Sequence, residues 1–168
     1  MEEIEIPTEH LHETIKEKVE DELKEAKEQG WSLYVAISTA LMAVFAAISG
    51  LLAGHHSNEA LIEQIKASDQ WAYYQAKGIK AEIRSMQANT VEVERYKKEQ
   101  EDIKKEAEEF QHNSAFHLAK HIQLAKAVTL FQVAIAIAAI SILTRKKFLW
   151  WLSMFIALAG IIFFFWGV

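Results

Sequence analysis

WSLYVAISTALMAVFAAISGLLAG, residues Trp31–Gly54, runs for 24 residues without a charged side chain. A helix rises about 1.5 Å per residue and a bilayer core is about 30 Å thick, so about 20 apolar residues cross it. This stretch is long enough to cross with some tilt. It follows a 30-residue acidic segment rather than a short basic one, so it reads as a signal anchor and not as a cleaved signal peptide. Two further blocks lie toward the C-terminal side: Ala127–Leu143, 17 residues, and Phe148–Val168, 21 residues. Lys126, at the end of the first of these, can snorkel to the surface. The expected fold is an all-α membrane protein with three transmembrane helices.

Composition agrees. The three blocks hold 62 of the 168 residues, which leaves too few for a large soluble enzyme core. The absence of Cys excludes disulfide frameworks and thiol chemistry. A net charge of −5 argues against a general nucleic-acid partner. A single Pro, Pro7, points to uninterrupted helices.

Positive charge beside the blocks sets the orientation. Lys16, Lys18, Lys24 and Lys27 precede the first block, and the 144–147 loop between the second and third carries Arg145, Lys146 and Lys147. The positive-inside rule puts the N-terminus and this loop in the cytoplasm and residues 55–126 outside. Trp31, Trp150 and Trp151 then anchor the inner interface and Trp166 the outer one.

Residues 55–126 carry 11 basic and 12 acidic side chains and no Pro, and they read as helix throughout. One straight helix of that length would rise roughly 100 Å and leave no chain to return. A turn at 87–90 closes the geometry, because Asn89 with Glu92 three residues on has the form of an N-cap with a reciprocal acidic partner. The expectation is an extramembrane antiparallel helical hairpin. Its returning seam is Val93, Tyr96, Gln100, Ile103, Ala107, Phe110, Ser114, His117, His121, Leu124 and Val128. Its outgoing seam is Leu61, Ile65, Ser68, Ala72, Ala76, Ile79, Ile83 and Met86, a heptad with one stutter.

Residues 1–30 read as a separate amphipathic helix with Leu11, Ile15, Val19 and Leu23 on one stripe and Gly30 as its stop. Four Lys against eleven acids make it a poor ligand for anionic lipid, so a larger membrane complex or a sister subunit is its expected partner.

The run Ser68-Asp69-Gln70-Trp71-Ala72-Tyr73-Tyr74-Gln75-Ala76-Lys77 is the most distinctive in the chain. Here the sequence resembles a family of bacterial membrane proteins known only as a domain of unknown function, over residues from about 31 to 168. The resemblance implies the same three-span topology in a bacterial inner membrane and supplies no activity. Read physically, Trp71, Tyr74 and Gly78 share a helix face with Tyr73 beside it, which suits an interface between helices.

His117 and His121 stand at i,i+4, the spacing that lets two imidazoles share a metal. His55, His56 and Glu59 leave the first block at the same height, so a metal or proton-sensing site is expected there if the hairpin closes. His10, His12 and Glu13 read as a solvated face. Within the blocks Gln132 is the only strongly polar residue and is expected to bond another helix. Small residues step by four along the first block: Ser32, Ala36 and Ala40, then Ala43 and Ala47, and finally Gly50 and Gly54. They permit close packing or, in a ring, the lining of a pore.

No catalytic arrangement stands out, and no cofactor is implied. The sequence therefore points to a homo-oligomeric scaffolding protein rather than an enzyme, with a pore or an accessory subunit of a larger complex as the alternatives.

Overall fold

The computed structural model describes the backbone of residues 8–168 and the side chains of residues 16–23 and 30–168. Leu11, Ile15, His10, His12 and Glu13 therefore have side chains outside the described residues. The described chain is three helices: α1 (Thr8–Met86), α2 (Thr90–Thr144) and α3 (Lys147–Gly167). All three are long and apolar enough to cross a membrane. In α1 and α2 that apolar segment is one part of a much longer, otherwise charged helix.

Gly30 does not end a helix. α1 passes through it without a break, and none of the glycines has a positive φ. A mid-helix glycine costs about 1 kcal/mol relative to Ala, which weakens a helix locally but does not stop it. The N-terminal segment is thus the start of α1 rather than a third helical piece. On it Val19 and Leu23 are exposed.

The chain reverses at 87–89. Ala88 takes a positive φ of 54°, its N–H donates to Ser85 O, and the Asn89 N–H donates to Arg84 O. Asn89 Oδ1 accepts the Glu92 N–H at 3.2 Å and so caps α2. The reciprocal half of the expected cap is missing. The Glu92 carboxylate is drawn instead to Arg84, 2.7 Å away on α1, where it ties the two arms together.

Beyond the turn α2 runs antiparallel to α1. Contacts descend α2 as they climb α1: Ala53 with His121, His56 with His117, Ala60 with Ser114, Gln70 with Glu106, and Lys77 with Glu99. By helical rise the paired arms extend roughly 50 Å past the apolar segments.

The outgoing seam differs from the one the spacing predicts. Leu61, Ile65, Ile79 and Met86 are 61%, 53%, 60% and 81% exposed, and Ser68, Ala72, Ala76 and Ile83 are exposed as well. The buried positions are Ala53, Ala60, Ala67 and Ala81, at seven-residue steps with half-buried Tyr74 in the series. Lower down Val35, Met42 and Ser49 are buried at the same seven-residue interval, three residues out of step with the alanines, so the two series form one seam. A continuous helix cannot change its packing face without unwinding, so the face chosen in the apolar segment persists into the hairpin. Position three of each heptad then carries His56, Glu63, Gln70, Lys77 and Arg84, which meet polar groups of α2.

α3 folds back along α2. Phe131 packs on Gly160, where a Cβ would stand 3.1 Å from the ring, and Leu124 packs on Gly167. Phe131 is the largest fully buried side chain, in a core with Met42, Ala127, Ala134 and Ala157. Phe45 stacks on Phe131 at 5.9 Å and meets Phe164 edge-on at 5.8 Å, joining all three helices.

Candidate functional site

Four groups of expected functional residues can be placed. The first lies where the apolar segments end. His56 Nδ1 and His117 Nδ1 face each other across α1 and α2 at 2.9 Å. Such a contact needs one N–H and one lone pair, so only one of the two nitrogens holds a proton. The His55 ring is 5.5 Å from that of His56. His121 is one turn further along and donates from Nδ1 to Ala53 O at 2.8 Å, so it braces the helix pair instead of joining the His56–His117 contact.

Burial pushes the His56 imidazole below its ordinary value, and His117, His55 and Lys120 push the same way, against a smaller opposing pull from Glu59. Among the described residues no three side chains are arranged to hold a metal ion. Of the two expected readings of His55, His56, His117, His121 and Glu59, the proton-responsive one is the one the His56–His117 contact supports.

The sign of that response follows. A base whose folded value is depressed binds its proton more readily when unfolded, so stability rises with pH. The contribution is full above about 6.5, the ordinary imidazole value, and is lost as pH falls through it toward the lowered value. Acidification from pH 7.5 to 5.5 is expected to speed amide exchange at 53–60 and 114–121, and His56→Asn should flatten that dependence. Equal pH dependence in both proteins would contradict it.

The second group is the aromatic run. Gly78 leaves the space that the Gln100 side chain fills, and Gln100 Nε2 donates to Tyr74 O at 3.0 Å. Tyr74 and Gly78 thus belong to the contact between α1 and α2. Trp71 meets Tyr74 edge-on at 5.6 Å and is half-buried. Tyr73 is exposed, with Lys77 over its ring at 5.1 Å. Lys77 also pairs with Glu99, which holds the ammonium above its ordinary range and the carboxyl below.

The third group faces outward. Gly50 and Gly54 are exposed on α1, with only Val128 near Gly50 and nothing near Gly54. Ala36, Ala40, Ala43 and Ala47 are exposed too, and so is Gln132 on α2.

The fourth is the set of anchors. Trp150 Nε1 donates to Ser38 Oγ at 3.2 Å and stacks obliquely with Trp151, while Trp166 meets Phe163 edge-on. Trp31 is half-buried with its Nε1 shielded and unbonded. Arg145 takes the left-handed conformation that ends α2, and Lys146 and Lys147 lead directly into α3.

A family model described as a domain of unknown function, DUF4337, matches residues 31–94 and 90–168. The chain belongs to that family. The two matched segments overlap at 90–94, the first residues of α2 just past the turn of this DUF4337 chain. No curated protein and no solved structure matches it.

What sequence reasoning missed is the alanine seam and its polar partners. The signal was present: Ala46, Ala53, Ala60, Ala67 and Ala81 fall in one seven-residue series. Isoleucine and leucine beside them drew the assignment to the wrong face.

Proposed function

We propose that this DUF4337 protein is a homo-oligomeric membrane scaffold with no catalytic role. Three spans anchor it in a bacterial inner membrane, with the N-terminus and Arg145–Lys147 cytoplasmic. The α1–α2 hairpin stands outside, and copies associate through it. The observation that supports this reading is the contrast between the outward faces of the two arms. On α2 that face carries Glu94, Arg95, Glu101, Asp102, Lys105, Glu108 and Glu109, all exposed. On α1 it carries Leu61, Ile62, Ile65, Ile79, Ile83 and Met86, equally exposed.

Apolar side chains on a helix standing in water favour burial, each contributing roughly 1.5–3 kcal/mol when covered. The alanine seam buries little area per residue, so the hairpin gains more from an outside partner than a leucine-seamed one would. A second copy suits the face best. Membrane anchoring holds both copies the same way up, so two α1 arms run parallel over their whole height and each side chain meets its counterpart about a two-fold axis. The exposed small residues from Ala36 to Gly54 continue the approach below.

Because the natural chain has no Cys, single cysteines report contacts cleanly. Ile79→Cys is expected to form a disulfide between copies in native membranes, seen as a band at twice the 19.2 kDa protomer mass. Bridging requires Cα atoms within about 7 Å. Glu101→Cys, on the charged arm, should remain monomeric. Equal cross-linking at both sites, or at neither, would refute the parallel α1 contact.

A further inference from the structure

On the outward side of α2, where its apolar segment begins, lies a groove of about 480 Å³. Volumes of about 300–1,000 Å³ are usual for sites that hold small molecules. His121 and Ile122 line its upper part, Lys126 and Thr129 its middle and Leu130 its lower end, with Phe163 of α3 beside them. The Lys126 ammonium is 5.6 Å from the centre of the Phe163 ring. The groove is thus largely apolar, with one ammonium midway along it.

Two further features narrow the occupant. No Asp or Glu occurs in the chain after Glu109, so an anion beside Lys126 meets no acidic side chain from α3 or the lower part of α2. Of the polar groups that line the groove, the Thr129 hydroxyl is spent on Ala125 O and His121 Nδ1 on Ala53 O, so the donor left for a ligand is the Lys126 ammonium.

We propose that this groove binds one phospholipid with an anionic headgroup, its phosphate against Lys126 and an acyl chain along Leu130 and Phe163. The assignment rests on the membrane-spanning reading above.

The test is native mass spectrometry of the detergent-solubilised full chain, titrated with dioleoylphosphatidylglycerol, dioleoylphosphatidylcholine or free glycerol phosphate. Retention of the protein in alkali-washed membranes is scored first and separately, because its loss would sink the spanning reading itself. About one phosphatidylglycerol per protomer is expected, held at least about tenfold more tightly than phosphatidylcholine, with glycerol phosphate failing to compete. Lys126→Gln should remove the preference. Leu130→Trp, which fills the groove, should remove binding of the lipid altogether, whereas Lys98→Gln on the hairpin should change nothing.

Equal retention of the two lipids, or unchanged binding in both groove variants, overturns the proposal. Competition by glycerol phosphate would overturn it in favour of a soluble phosphate site.

Discussion

Ile65→Glu combined with Ile79→Glu should reduce the assembly to separate protomers while leaving the hairpin folded. Both side chains are more than half exposed in the protomer, so the substitution removes little contact within it. In a symmetric pair four isoleucines would be uncovered at once. About half of each side chain is already covered in the protomer, so at roughly 0.8–1.5 kcal/mol each the loss is about 3–6 kcal/mol, a rise in dissociation constant of roughly a hundred- to ten-thousandfold. Opposed glutamates add repulsion to that. Native mass in mild detergent reads the assembly, and amide exchange across 60–81 reads the hairpin. A complex of unchanged mass would mean that this apolar face has another purpose. Collapse of the hairpin together with the complex would mean instead that the arms cannot stand without the contact.

Phe131→Ala should have the largest effect on the protomer itself. The ring is 1% exposed, stacks on Phe45 and rests on Gly160. Lipid solvates an apolar ring nearly as well as protein does, so the transfer contribution that dominates in water is small here. The cavity remains. A void of about 100 Å³ at about 24 cal/mol per Å³ costs roughly 2–3 kcal/mol, enough to lower the unfolding midpoint in detergent by several degrees. Gly160→Leu should harm the same contact by overfilling it, since even a Cβ there stands 3.1 Å from the ring. If Phe131→Ala melts as the natural chain does, α3 is not held by this core. Restoration by Phe131→Ala together with Gly160→Leu would show that volume, and not the aromatic ring, is what the site requires.

The histidines show where reading the sequence stops. Spacing alone proposed that His55, His56, His117, His121 and Glu59 converge, and the antiparallel arms do bring His56 and His117 together. Spacing is silent on where each ring points. Register places His121 against the Ala53 carbonyl and leaves no third ligand for a metal. Glu92 behaves likewise. Its position three residues after Asn89 matches a reciprocal cap, but a cation on the neighbouring arm is the stronger attraction for its carboxylate. Local pattern states what a side chain can do, and its neighbours decide which option it takes.

Helix and apolar length needed no tertiary information. Blocks of 24, 17 and 21 residues that are long enough to cross a bilayer, and charged stretches without proline between them, dictate an all-helical chain with three candidate spans. These are properties of composition and rise per residue, which one strand of sequence carries in full. The face that α1 turns toward α2 was not carried that way. Two seven-residue patterns coexist on that helix, one of isoleucine and leucine and one of alanine, and hydrophobicity alone favours the first. Packing chose the second, because the alanines form one seam with Val35, Met42 and Ser49, and a seam must continue along an unbroken helix. The alanine face also lets Lys77 and Arg84 reach the carboxylates of α2. The larger side chains were thereby left on the outside, and that exposed face came into view only with the tertiary structure.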